Sequence, residues 1–197
     1  FRPDFIRTIT FHFAHPNDQL SAIEKYCTSM YGSNLYDFNS NEFRMIASAW
    51  KTGVKLAWGV HRGCRTYLVQ QVLAPEVTSL RVNLLLRFRT FFRSLLSSPS
   101  LEVQVAARLA ARDIRSGVGS NLAVLRQDSG GLDPWTSSPG QLKAALLRGE
   151  AVEVPPRDAW RVPYLSRLLS ARLKCYYSGD VNEEKQLMSL IDSLVIN

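Results

Sequence analysis

The sequence predicts an all-α fold, a multi-helix bundle-like domain with room for two helical subdomains and at most one short N-terminal strand. Three observations predict it. Apolar residues recur at three-and-four spacing through most of the chain, start and stop residues bracket those runs, and alternating, strand-like patterning is confined to Ile9–Phe13.

The elements follow in order. Ile9, Phe11 and Phe13 alternate with Thr10 and His12, but Ile6, Ile9 and Phe13 also fit a helix, so both readings stand. From Leu20, the positions Ile23, Cys27, Met30 and Tyr31 form one amphipathic stripe, with Asn17 or Asp18 as its start and Gly32 as its stop. Asn39 with Glu42 three residues later opens a second helix through Phe43, Ile46, Ala47, Trp50, Val54 and Ala57 to Gly59.

After Pro75, the series Val77, Leu80, Leu84, Phe88, Phe91 and Leu95 predicts a long helix that Ser97-Ser98-Pro99 ends. Ser100 opens the next, which carries Val103, Ala106, Leu109 and Ala110. Between Gly117 and Gly131 the pattern loosens around Gly119, Ser120, Asn121 and Ser129-Gly130-Gly131, which reads as a mobile connection. Asp133-Pro134-Trp135 leads to a short helix from about Pro139 to Arg148. Beyond Pro155-Pro156, the leucines 165, 168, 169 and 173 predict one helix, and Asp180 with Glu183 opens a last one through Leu187, Leu190, Ile191 and Leu194. The expected division is residues 1–116, a loop-rich connection over 117–138, and a C-terminal helical subdomain over 139–197.

With 197 residues and 46% hydrophobic content, the chain can bury one sizeable core or two small ones. Its apolar runs are far shorter than the roughly 20 residues that a membrane span requires, so no membrane role is expected. The start Phe1-Arg2-Pro3-Asp4 has neither a methionine nor a signal-peptide layout, which suggests a fragment of a longer protein. Three widely spaced cysteines, Cys27, Cys64 and Cys175, fit a reducing compartment, cytoplasm or nucleus.

Charge is uneven within the formal total of +7. Between Arg44 and Arg126 thirteen bases face only three acids, Glu76, Glu102 and Asp113, so the remainder of the chain is net acidic. Such an excess attracts polyanions in a salt-dependent way, and arginine suits forked contacts to phosphate. Arg108, Arg112 and Arg115 fall at i, i+4 and i+7, one face of a helix, where their mutual repulsion would be relieved by an anionic partner or, intramolecularly, by Asp113. Arg81, Arg89 and Arg93 cluster on the preceding helix, with Arg87 on its other flank, so that a backbone-tracking groove could lie between the two. Lys51, Lys55, Arg62 and Arg65 complete the candidate nucleic-acid-binding set. A solvated basic face, or arginine stems lying along apolar surface, is the plainer reading of the same residues.

Other chemistry finds little support. The aromatic residues Trp50, Trp58, Phe88, Phe91, Phe92 and Trp135 stand at core-facing spacing; Tyr67 follows a polar, loop-like stretch. His12-x-x-His15 has no cysteine pair to complete a metal site, and Cys64 has no recognisable base and orienting acid. Gly117-x-Gly119 lacks the strand and Lys-Ser/Thr of a phosphate loop. No Asp-Asp pair is present, and the only adjacent carboxylates, Glu183-Glu184, sit in a helical pattern. No catalytic, metal or cofactor residue is therefore assigned.

Several short motifs occur in a consistent order. They are Tyr26-Cys27-x-Ser29-x-Tyr31-Gly32-Ser33-Asn34-Leu35, Ala49-Trp50-Lys51 with Val54-Lys55, Trp58-Gly59-Val60, Arg62-Gly63 and Thr66-Tyr67-Leu68. Farther on stand Arg87-Phe88 with Phe91-Phe92, Arg112-Asp113-Ile114-Arg115-Ser116 with Gly119 and Asn121-Leu122, and Asp133-Pro134-Trp135. From about Phe13 to Trp135 the chain resembles the region beyond the polymerase palm in reverse transcriptases of LINE-type (non-LTR) retrotransposons. It departs from that pattern at His61, where a proline is common, and at Arg65, where a histidine is common.

The resemblance implies that residues 1–116 are a thumb-like helical region without the catalytic palm. Its implied partners are template RNA, an RNA–DNA hybrid or DNA primer, and the polymerase core of the same polypeptide. Divalent metal would belong to that absent palm, where carboxylates stabilise phosphoryl transfer. The expected function is thus non-catalytic gripping of nucleic-acid backbone, the alternative a helical protein-interaction module with no nucleic-acid role, and an enzyme acting alone a third reading.

Overall fold

The computed structural model describes residues 15–22, 32, 36–73 and 75–196. It is all-α, with no strand among the described residues. In chain order the helices are α1 (Pro16–Ala22), α2 (Asn41–Ala57), α3 (Thr66–Val72), α4 (Pro75–Thr78, a single turn), α5 (Leu80–Leu96), α6 (Leu101–Arg112), α7 (Gly117–Asp128), α8 (Pro139–Gly149), α9 (Arg161–Ser178) and α10 (Val181–Ile196), with a 3₁₀ turn at Pro156–Asp158. The candidate strand Ile9–Phe13 lies outside the described residues, as does the expected continuation of α1 through Cys27 and Met30.

Two compact units are present, and each is discontinuous in sequence. One combines Ala49–Thr78 and Val152–Asn197 with α1; the other combines Tyr31–Ser48 and Ser79–Ala151. The boundaries expected at 116 and 139 are not those of the units, because packing between distant segments defines them.

In the first unit α9 and α10 pair as a hairpin that buries Leu165, Leu168, Leu169, Cys175, Ile191 and Leu194. Gly179 ends α9 in the left-handed region at φ 74°, its amide donating to the Cys175 carbonyl at 2.8 Å. The Asp180 carboxylate then accepts the amides of Asn182 and Glu183, opening α10 as its sequence indicates. Trp50, Val54, Ala57, Trp58, Leu68 and Val69 complete this core. Helix α3 has no counterpart among the expected elements; its seven residues bury Leu68 and Val69, too few positions to show a period in the sequence.

The second unit packs α5, α7 and α8 around Leu84, Leu85, Phe88, Leu122, Leu125, Leu142 and Leu146, all essentially buried. An aromatic chain runs through it. Phe38 meets Phe43 at 5.1 Å and Phe88 at 6.1 Å, Phe88 stacks on Phe92, and Phe92 lies 5.4 Å from Trp135. The long helix expected after Pro75 is interrupted at Ser79, whose hydroxyl accepts from the Val82 amide and donates to Glu150. The start of α2 is shifted by one residue, Ser40 rather than Asn39 receiving the Phe43 amide at 3.0 Å. Ser100 and Ser138 cap α6 and α8 as expected, the latter in a full capping box with Gln141.

The loop-rich connection expected over 117–138 is half helix. Ser116 caps α7 by accepting from the Gly119 amide at 2.9 Å, and its hydroxyl donates back to the Ala110 carbonyl. Gly119 is required by packing, since a Cβ there would lie 2.1 Å from the Asp113 carbonyl oxygen. Weak helix formers thus sit in a helix because α6 and α7 approach closely at their junction.

Candidate nucleic-acid interface

Helix α6 is the most outward-facing helix of the second unit, with Ala107 its one buried residue. At about 100° per residue, Leu101, Val105, Arg108, Leu109 and Arg112 fall within an arc of about 100°. All five are exposed, Leu101 at 67% and Leu109 at 59%. Arg108 and Arg112 therefore share a solvent face with aliphatic side chains. Arg115 does not join them, because α6 ends at Arg112 with Asp113 as its C-cap. Its Nε lies 3.3 Å from Asp113 Oδ1 while its side chain remains 89% exposed, so the three-arginine helical face is reduced to two helical positions and one turn position.

The three α5 arginines have separate fates, and they do not form an arginine-lined groove. Arg81 is half-buried, pairs with Asp128 at 2.8 Å and donates to the Phe38 carbonyl at 3.1 Å. Arg89 is buried. Its Nε donates to the Pro134 carbonyl at 2.5 Å and one of its terminal nitrogens to the Ser137 carbonyl at 2.7 Å. Burial, helped by neighbouring Arg93, pulls its pKa down, but a guanidinium stays charged and serves here as a clamp on the Asp133–Ser137 turn. Arg93 alone of the three is exposed. A cleft of about 260 Å³ beside Arg81 is lined also by Asp128, Leu146 and Glu150; its ionic groups are engaged, Arg81 with Asp128 and Glu150 with Ser79.

In the first unit Lys55 is likewise withdrawn from solvent. Its Nζ donates to the carbonyls of Cys64 at 2.5 Å and Arg62 at 3.3 Å, fastening the loop after α2, and burial holds its pKa below the ordinary lysine value. Lys51 is half-buried and Arg62 exposed. Arg65 reaches Asp158 at 2.6 Å and Tyr67 at 2.8 Å. Of the ten predicted nucleic-acid-binding residues, then, Arg62, Arg93, Arg108, Arg112 and Arg115 present exposed guanidinium groups not committed to a buried partner.

Asp158 is not among the residues that sequence reasoning singles out. It is 4% exposed, and Arg65, Arg157 and Arg161 lie within 4 Å of its carboxylate, which also accepts a hydrogen bond from the Tyr67 hydroxyl. Tyr67 and then the arginines hold the Asp158 carboxyl below its usual range, so it is ionised at neutral pH and cannot serve as a proton donor. The same hydroxyl, with Asp158, raises Arg65. The available signal was the flanking of one acid by Arg157 and Arg161 just after Pro155-Pro156. The network fixes the start of α3 to the start of α9 within one unit.

Among the described residues no group of three or more His, Cys, Asp or Glu side chains could hold a metal ion. No helix of the described residues is long and apolar enough to cross a membrane. No family model matches the chain, and neither a curated protein nor a solved structure matches it significantly.

Proposed function

We propose that the chain is a non-catalytic, helical nucleic-acid-binding region, similar to the part of a LINE-type reverse transcriptase that follows the palm and holds template RNA and the RNA–DNA hybrid or DNA primer by its backbone. It would work beside the polymerase core of the same polypeptide, in cytoplasm or nucleus. The observation that supports this most is the outward face of α6, where Arg108 and Arg112 stand exposed with Arg115 beyond the helix end. Such arginines position a phosphate backbone without reading its sequence.

The motif residues themselves are largely explained by folding: Asp113, Ser116 and Gly119 build the α6–α7 junction, Asn121 holds the backbone of Tyr36 and Phe38, and Arg89 holds the Asp133-Pro134-Trp135 turn. The test is fluorescence-anisotropy binding of a labelled RNA–DNA hybrid over a salt series. A steep negative log–log slope supports the reading, because phosphate contacts release counterions. Salt-indifferent or absent binding sinks it.

A second reading is favoured by one observation. Leu101, Val105 and Leu109 are exposed at i, i+4 and i+8, a pattern that also suits a partner helix. Binding that survives high salt and ignores nucleic acid would select it.

A further inference from the structure

Helix α9 contains Arg161, Arg167, Arg172 and Lys174 and no acidic residue. Trp160, in helical conformation just before it, extends the helix by one position. Residues Trp160, Tyr164, Arg167 and Lys174 stand at i, i+4, i+7 and i+14, so they share one face, and all four are exposed. The buried face of α9, with Leu165, Leu168 and Leu169, lies on the other side.

Trp160 is unlike Trp50 and Trp58. Those two are at most 9% exposed, whereas Trp160 is 58% exposed. Its indole is nevertheless held, with the Arg161 guanidinium 5.4 Å from the ring centroid and Arg161 Nε 3.5 Å from Asp158 Oδ1. The buried Asp158 network therefore presents a large flat ring to solvent through Arg161. Tyr164, also exposed, follows one turn later, about 6 Å along the axis. Arg157, three residues before Trp160, has a side chain 75% exposed. Arg167 and Lys174 have no partner among the described residues.

We propose that this outward face of α9 is a binding site for single-stranded nucleic acid, with Trp160 and Tyr164 as stacking surfaces for successive bases and Arg157, Arg167 and Lys174 as contacts to the phosphates. The partner's chemistry follows from the combination. Exposed cations on a helix without acidic residues, with the neighbouring Asp158 buried, favour a polyanion, and exposed aromatic faces favour one whose bases are unpaired, since duplex bases offer no free face. The site lies in the first unit and does not include the α6 arginines, so it stands independently of the hybrid-binding role proposed above.

Intrinsic tryptophan fluorescence of the full chain, titrated with oligouridylate of about twelve nucleotides, tests it directly. The expected result is saturable quenching that Trp160→Phe removes, with affinity falling about tenfold in Trp160→Ala and in Tyr164→Ala. Arg167→Glu with Lys174→Glu should weaken binding and flatten its salt dependence, whereas Arg108→Ala with Arg112→Ala should leave the quenching unchanged. Quenching that persists in Trp160→Phe, or its absence from the parent chain, overturns the proposal. So does equal binding and quenching by an abasic strand of the same length, or by an acidic peptide, since neither offers a base to stack. That comparison uses the unaltered chain and decides the matter even if the Trp160 variants do not fold.

Discussion

Asn121 holds Phe38 in place across 83 residues of sequence: its side-chain oxygen accepts the Phe38 amide at 3.1 Å, and its nitrogen donates to the Tyr36 carbonyl at 2.6 Å. The Asn121 side chain is fully buried, and the Phe38 ring that it positions links Phe43 to Phe88 in the aromatic chain. Asn121→Ala should cost about 1–3 kcal/mol, because two backbone groups lose their partners in the interior. Urea denaturation would measure it, and an unchanged midpoint would show that the segment before α2 is held by its rings alone.

Arg89 should behave as a structural residue and not as a phosphate ligand. Arg89→Met leaves the Pro134 and Ser137 carbonyls without their charged donor and should destabilise the chain by about 2–3 kcal/mol. Its salt slope for hybrid binding should equal that of the parent. A slope change with intact stability would return Arg89 to the interface.

For Arg108→Ala with Arg112→Ala the opposite pattern is expected. Both side chains are exposed, so thermal stability should hardly move. The log–log salt slope should become shallower by about 0.7–0.9 for each phosphate that is no longer neutralised. If binding is unaffected, the α6 face is not the footprint.

Gly119→Ala should destabilise by about 1–3 kcal/mol, since the new methyl would meet a backbone carbonyl and not a side chain that can turn aside. Gly130→Ala offers a control without a steric clash, having only the positive φ of 61° against it. A larger loss at Gly130 than at Gly119 would mean that the α6–α7 junction relaxes.

The Asp158 network sets an acid-side dependence. Its carboxyl is held below the ordinary value, so the folded chain binds that proton less readily than the unfolded one. The contribution is present above the unfolded pKa of about 3.9 and is lost as pH falls through the lower folded value. Asp158→Asn should therefore lower the melting temperature at neutral pH and reduce the loss of stability on acidification. Asp133 and Glu102 shift the same way, so some acid dependence should remain. Parallel curves for the two proteins would exclude Asp158 from it.

The helix pattern is legible in the sequence where local signals agree with packing. Ser100, Ser138 and Asp180 mark their helices, and the stripe of Leu84 and Phe88 is the buried one. Helix α7 is not legible, because Gly117, Gly119 and Asn121 are poor helix formers and their reasons lie elsewhere, in the Asp113 carbonyl and the Phe38 amide. The candidate interface is legible only as composition. Spacing assigns an arginine to a helix flank, but Arg89 and Arg93, four residues apart, end respectively on buried carbonyls and in solvent. Charge alone does not separate them, and a lone acid such as Asp158 becomes a hub only when α3 is brought to it.

The interleaving of the two units bears on synthesis. A ribosome that has released the chain as far as Ala151 has delivered every residue of the second unit, but only part of the first, whose α9 and α10 are still to come. Until then Trp50, Val54 and Leu68 lack the helices that complete their core, which makes that stretch of nascent chain a natural place for a chaperone to hold.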